Sequence, residues 1–275
     1  MKPAPFDYLR PDDEEEALEA LAEAGDDARL LAGGQTLMPM LNMRLVEPAV
    51  LIDISRLAGR AGISDDGSHI EVGAAATQAD LEAWPALGRR APLLAQALPL
   101  LGHVQTRSRG TVCGSIAFAD PSAELPLCLA VLGGEVVLRS RAGERTLPAA
   151  EFQTGMLSTA CREDEMVAAV RFPATEPGAG YAFTEFARRH GDFAIVAVAA
   201  IAQAKGIRIG VGGVAEKPVV EEWPLLAGGA LDDALNALAW SLDAADDVHA
   251  SARYRRELVR NLGKQVVRAA QEARP

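Results

Sequence analysis

Small residues and carboxylates concentrate in one stretch of this chain, Arg109 to Pro126, which reads RGTVCGSIAFADPSAELP. Gly110, Thr111, Gly114 and Ser115 leave the backbone bare enough for amide groups to approach a ligand, and Asp120, Pro121 and Glu124 follow as a carboxylate turn. The chemistry this favours is an anion cradle followed by acceptors for hydroxyl groups. A second glycine turn, Ala32-Gly33-Gly34-Gln35-Thr36, comes directly after an apolar run and has the form of the other half of the same clamp. Alone it reads more readily as a plain turn. Together the two stretches point to a dinucleotide.

Other constellations are weaker. Gly210-Val211-Gly212-Gly213-Val214-Ala215 fits a loose GxGxxA dinucleotide fingerprint after a strand. Glu216-Lys217-Pro218 then puts a carboxylate where phosphate would sit and a proline soon after, so close strand packing explains the glycines better. His69, His103, His190 and His249 share no ligand spacing, which argues against a zinc site or a catalytic triad, and no G-x-S-x-G elbow occurs. Cys113, Cys128 and Cys161 are too few and too scattered for an iron–sulfur cluster, so no metal is expected on this chain. The turn Arg188-Arg189-His190-Gly191-Asp192-Phe193 reads either as a solvated corner or as a loop bringing Phe193 against a cofactor ring.

The elements that must position these residues can be read in order. Asp12 to Ala24 has the pattern of an amphipathic helix, Arg29 to Ala32 of a strand running into the first glycine turn, and Ala49 to Ile54 of another strand. Ile63 to Ala75 predicts a hairpin about Asp66-Gly67, and Thr77 with Asp80 predicts a capped helix start. Ala91 to Leu101 and Leu125 to Leu132 are apolar all round and should be buried. A second hairpin is expected around Arg141 to Glu144, then a strand from Met166 to Phe172. Thr175 to Gly180 is the best boundary. Beyond it, Tyr181–Arg188, Ile195–Gln203 and Ile207–Val214 predict three antiparallel strands, and Leu231–Glu272 a helical tail broken near Asp246 and Gly263.

With 275 residues, 49 % of them hydrophobic, the chain can bury a large core. Its formal charge of −11 argues against a nucleic-acid or anionic membrane surface. No apolar run reaches the roughly 18 residues a membrane helix needs, and Met1 to Phe6 lacks a signal-peptide core, so the expectation is a cytoplasmic protein.

At these residues the chain resembles the FAD-binding medium subunits of the molybdenum hydroxylases, the carbon monoxide dehydrogenase and xanthine dehydrogenase type. Five motifs carry the resemblance in order: AGGQTLMPMLNMR (Ala32–Arg44), QTRSRGTVCGSIAFADPSAELP (Gln105–Pro126), ARRHGDFAIV (Ala187–Val196), GVGGVAEKP (Gly210–Pro218) and SARYRREL (Ser251–Leu258). The resemblance implies an α+β fold: a PCMH-type FAD-binding domain over residues 1–174, in lobes of about 1–56 and 57–174, then a C-terminal domain over 175–275 with a small antiparallel sheet and helices. It further implies that Ala32, Gly33, Gly34, Gln35, Thr36, Thr111, Val112, Cys113, Gly114 and Ser115 hold the FAD pyrophosphate through backbone amides. Asp120 and Glu124 would meet ribityl or ring-proximal atoms, Met166 and Val167 would line the flavin, and Phe193 would touch it from the C-terminal domain. The resemblance also implies molybdopterin and 2Fe-2S clusters on a large and a small partner chain, a dimer of heterotrimers as the assembly, and electrons leaving through this chain to an external acceptor.

Two departures bear on that expectation. Cys113-Gly114 stands where the family pattern has Gly-Gly, placing a side chain in the cradle. Gln35 stands where covalent relatives carry the histidine that bonds to the ring, so the FAD should be non-covalent. No catalytic acid or base is expected. A self-contained flavin oxidase and a flavin-free scaffold remain as alternatives, the latter hinted at by Cys113.

Overall fold

The computed structural model describes residues 2–275. The chain opens with β1 (Asp7–Leu9), α1 (Glu14–Ala24), β2 (Ala28–Leu31), α2 (Leu37–Met43) and β3 (Val50–Asp53). The three strands form a parallel sheet in the order β1-β3-β2. Asp13 caps α1 by accepting from the Glu16 N–H, three glutamates fill its first turn, and Ala17, Leu18 and Leu21 bury against Ala28 and Ile52. Pro39 lies in the first turn of α2, where a missing N–H costs nothing.

A larger antiparallel sheet follows, built from β4 (Ile63–Asp65), β5 (His69–Gly73), β6 (Glu135–Ser140), β7 (Gly143–Pro148) and, after the small ribbon β8 (Gln153–Gly155) and β9 (Ser158–Thr159), β10 (Met166–Pro173). Its order is β4-β5-β10-β6-β7. Asp66 closes the first hairpin by accepting from the Ser68 and His69 N–H groups. Between β5 and β6 run the helices α3 (Gln78–Glu82), α4 (Leu87–Arg90), α5 (Pro92–Ala97), α6 (Val104–Arg107), α7 (Val112–Phe118) and α8 (Glu124–Leu132), and α9 (Ala149–Phe152) follows β7. Strand β10 is shared by two cores: Met166 and Ala168 face the first sheet and α1, whereas Val167, Val170 and Phe172 face α5, α7 and α8.

The remaining chain forms β11 (Gly180–Phe186), β12 (Val196–Ala202), β13 (Ile207–Gly212) and β14 (Val219–Trp223), antiparallel in that order, followed by α10 (Gly228–Ser241) and α11 (Ala252–Glu272). Alternation along the strands splits their side chains between two layers. Tyr181, Ala197, Ala199 and Ile201 join the core around α5 and α8, while Ala182, Val196, Val198 and Ala200 pack under α10 and α11. The result is mixed α+β.

Three readings of the sequence are corrected here. The tail does not break at Gly263: α11 runs through it, because a Cβ there would overlap Leu235 Cδ2 of α10, so this glycine serves helix contact. A fourth strand, β14, completes the last sheet beyond Pro218. Thr111 to Phe118, read as an open cradle of backbone amides, is a helix over Val112–Phe118 capped by Thr111. The Gly210 run lies in β13, where a Cβ on Gly210 would overlap Val131 and come within 3.0 Å of Leu127, which accounts for the glycine by packing on α8. Among the described residues no helix is long and apolar enough to cross a membrane.

Candidate functional site

The two glycine turns meet. Ala32 to Thr36 joins β2 to α2, and Arg109-Gly110 leads into α7, with the backbones in direct contact. A Cβ built on Gly33 would lie 2.7 Å from Gly110 Cα and 2.8 Å from the Arg109 carbonyl carbon, and closer still to the Arg109 oxygen, so only glycine permits the approach. Gly34 has φ of 68°, a left-handed turn that suits the same residue type.

The second turn is held from behind. Gln78 N–H donates to the Gly110 carbonyl at 2.8 Å and Val112 N–H to the Ala76 carbonyl at 3.1 Å, around a bridge between Thr77 and Thr111. Thr77 and Asp80 form the capping box read from the sequence. The Thr111 hydroxyl caps α7 by accepting from the Gly114 N–H at 3.0 Å. Among the described residues, no acceptor meets the backbone N–H groups of Gly33, Gly34, Gln35 and Thr36 on one side or of Thr111 and Cys113 on the other.

These turns border a cleft of about 470 Å³. Of the residues singled out in the sequence, Ala32, Gly33, Gly34, Gln35, Thr36, Thr111, Cys113, Gly114, Ser115, Asp120, Glu124, Met166, Val167 and Phe193 line it. Val112 does not: it is fully buried behind the turn, its N–H spent on Ala76. Cys113 contributes without intruding, contrary to expectation. It lies in helical backbone, and its Sγ donates to the Val72 carbonyl at 3.4 Å inside the core, where burial pushes the thiol up to about 12. The structural hint for a flavin-free scaffold therefore falls away.

Gly110, singled out among the small residues, also lines the cleft, while sequence reasoning missed Gln78, Leu101 and Thr106. Gln78 is 5 % exposed, and its Oε1 has no hydrogen-bond partner. Its signal was a polar residue at the first position of a capped helix, three residues before Leu81 and so on the same buried face.

Among the described residues the wall carries a single cation, Arg29, whose guanidinium is already bound to the Asp26 and Ala28 carbonyls at 3.0 and 2.6 Å. A pyrophosphate placed here would meet backbone amides rather than lysines or arginines. A cradle of unpaired N–H groups, small side chains and an orphaned buried amide fits an FAD-sized dinucleotide. The carboxylate turn closes one end. Asp120 Oδ1 accepts from the Ser122 N–H at 2.8 Å, and the C-terminal sheet grips the turn through Gly213 N–H to the Pro121 carbonyl at 2.7 Å. Glu124 opens α8 at 3 % exposure, and burial, then the negative field of Glu185, pushes its carboxyl up to about 8.

Phe193 stands on the rim, 64 % exposed, at the wall between this cleft and a second cavity of about 1170 Å³. Its loop is fixed by an Arg189–Asp192 ion pair at 3.0 Å and by Gly191, whose φ of 82° lets the backbone lie against Gly102 and His103. Arg255 anchors the strand that follows, donating to the Ile195 and Gly213 carbonyls at 2.8 and 2.6 Å and to Asp247 at 2.5 Å.

Comparison with known proteins identifies the family and the fold. Residues 4–175 match the family described as FAD binding domain in molybdopterin dehydrogenase, and residues 181–270 match the CO dehydrogenase flavoprotein C-terminal domain. The 6-hydroxypseudooxynicotine dehydrogenase complex subunit alpha of Paenarthrobacter nicotinovorans is 37 % identical, over 100 % of this chain and 98 % of its own. The carbon monoxide dehydrogenase medium chain of Hydrogenophaga pseudoflava is 34 % identical over 98 % of both. Among solved structures, carbon monoxide dehydrogenase from that organism, in a form lacking the Mo-pyranopterin moiety, superposes with a TM-score of 0.94 at 32 % identity and full coverage of both chains. The chain belongs to the FAD-binding flavoproteins of the molybdopterin dehydrogenases, as an oxidoreductase subunit of the medium-chain kind.

Proposed function

We propose that this chain holds one FAD non-covalently in the cleft and serves as the electron exit of a molybdenum hydroxylase. In this reading residues 1–174 form the FAD-binding domain, in lobes of about 1–56 and 57–174, and residues 175–275 the C-terminal domain. The observation that carries it is the pair of touching glycine turns with unpaired amides on both. Ala32 to Thr36, Thr111 and Cys113 to Ser115 would hold the pyrophosphate, Asp120 and Glu124 the ribityl or ring-proximal atoms, and Met166, Val167 and Phe193 would cover the flavin. When bound, FAD supplies two-electron redox chemistry that no side chain here can perform. The chain's own work is to bind, orient and shield. Among the described residues its wall holds no histidine or lysine.

The partners in this reading are a large molybdopterin chain, which oxidises the substrate, and a small 2Fe-2S chain, which delivers the electrons, assembled as a dimer of heterotrimers in the cytoplasm. An external acceptor then takes the electrons. Purification through a tag on this chain tests the proposal. Co-purification of a molybdenum chain and an iron–sulfur chain, with one FAD per copy released by acid precipitation, is the expected result. A lone yellow protein that turns over a substrate, or flavin that stays with the precipitate, overturns it.

A further inference from the structure

We infer that Glu124 faces the cleft as a neutral carboxylic acid, kept neutral by its burial and by the nearby Glu185 of the C-terminal sheet, so that retention of FAD depends on one buried proton. The inference rests on the FAD reading above.

Glu124 lines the cleft at 3 % exposure, and among the described residues no side chain donates a hydrogen bond to its carboxyl. Glu185 lies on β11, on the same face as Tyr181 and Phe183, which pack into the core that contains Leu125 and Cys128 of α8. Its Oε2 is buried without a partner. The two carboxyls belong to different layers of the fold, and the field of Glu185 reaches Glu124.

Among the described residues, no cation answers them. On its own segment Glu124 has only Asp120 before it and Cys128 one turn beyond. Of the elements packed on α8, β12 and α5 bring no charge, α7 brings only Cys113, and Glu151 of α9 is exposed. Arg171 of β10 is bound to Glu71, Arg208 of β13 pairs with Glu222 and the Val131 carbonyl at the far end of α8, and Glu221 and Glu222 of β14 are exposed. Arg29 across the cleft is held by backbone carbonyls. A buried carboxylate without a counter-ion takes up a proton instead. Burial pushes Glu185 up to about 7, and burial with the field of Glu185 pushes Glu124 up to about 8, so the pair retains a proton at neutral pH. As an acid, Glu124 can donate its O–H to a ligand oxygen. As an anion, it repels a ligand that carries a pyrophosphate.

The test uses the protein in its native assembly, stripped of FAD and titrated with FAD by flavin fluorescence from pH 6 to 9.5. Wild type should lose about tenfold in affinity as Glu124 ionises. Glu124→Gln, which keeps a donor without the titration, should bind within about threefold of wild type at pH 7 and stay flat. Glu185→Gln, by removing the repulsion, should move the loss to lower pH. Infrared difference spectra should show a protonated-carboxyl band in wild type at pH 7 that loses its Glu124 component in Glu124→Gln and keeps that of Glu185. A flat wild-type profile, an unchanged loss in Glu124→Gln, or the absence of that band overturns the inference. Failure of wild type to bind FAD at pH 7 overturns the FAD reading itself, and the band then still reports on the proton.

Discussion

Replacing Gly33 with alanine puts the geometry of the cleft under direct test. The added methyl would stand 2.7 Å from Gly110 Cα and 2.8 Å from the Arg109 carbonyl carbon, and all of these neighbours are backbone. Backbone cannot rotate aside as a side chain can, so the two turns must separate. Overpacking of this kind costs about 1–3 kcal/mol. Separation also takes amides away from a ligand held between the turns, and one lost hydrogen bond to a charged group is worth about 1.5–3 kcal/mol, or roughly ten- to a hundredfold in affinity. The assay is FAD titration by fluorescence quenching, paired with thermal unfolding of the flavin-free protein. Gly62→Ala is the control, since nothing lies within 4 Å of its Cβ position. The expected outcome is a weaker Kd and a Tm lowered by several degrees for Gly33→Ala alone. An alanine variant that binds FAD within about twofold of wild type, with unchanged Tm, would refute the claim that the turns touch through this glycine.

Other perturbations test the supports around the site. Arg255→Met should destabilise the chain by about 3 kcal/mol, because it strands the Ile195 and Gly213 carbonyls and Asp247, and limited proteolysis should then cut between Arg188 and Phe193. Gly263→Ala should lower Tm despite alanine's better helix propensity, by about 1 kcal/mol net, since the methyl overlaps Leu235 Cδ2; combining it with Leu235→Ala should give a smaller loss than the sum of the two. Glu165→Gln should cost about 2 kcal/mol at pH 7, as it breaks a two-pronged pair with Arg145 at 2.6 and 2.7 Å. The Arg145 guanidinium holds the Glu165 carboxyl below its usual range, so this stabilisation is present above about pH 4.5 and is lost as pH falls through the folded value. Urea unfolding at pH 7 and pH 3 should show the gap between wild type and Glu165→Gln closing in acid.

Local signals proved the most readable. The Thr77–Asp80 capping box, the Asp66-Gly67 hairpin and the two apolar helices depend on neighbours within a few residues, and all appear in the structure. The small-residue stretch also announced a site, although its helical form was hidden because Val112 to Phe118 carries no polar face to mark a period. What the sequence could not display was contact between distant segments. Gly263 looks like a helix breaker until Leu235 is seen against it, and Gln78 looks like an ordinary helix opener until the Thr77–Thr111 bridge buries it. Glu185, on an unremarkable strand, gains its importance only from the layer it faces. Cys113 shows the reverse: a residue that looked disruptive in the string is harmless because helical backbone turns its thiol toward β5.

An acidic chain that binds a doubly charged pyrophosphate has to obtain positive potential from somewhere other than its net charge of −11. Backbone N–H groups provide it without adding a mobile cation, but each has a fixed direction, so enough of them converge only when separate segments are held together rigidly. Here the two turns come from different parts of the fold, and β10 joins those parts by giving Met166 and Ala168 to one core and Val167 and Val170 to the other. The C-terminal sheet then holds the carboxylate turn through Gly213 and reaches the rim through Phe193. Ligand affinity should therefore follow packing between layers more closely than the identity of any one lining side chain. Substitutions at the interfaces, such as Gly33, Arg255 and Glu185, should weaken FAD binding more than Thr36→Ala or Ser115→Ala, whose backbone amides survive the change.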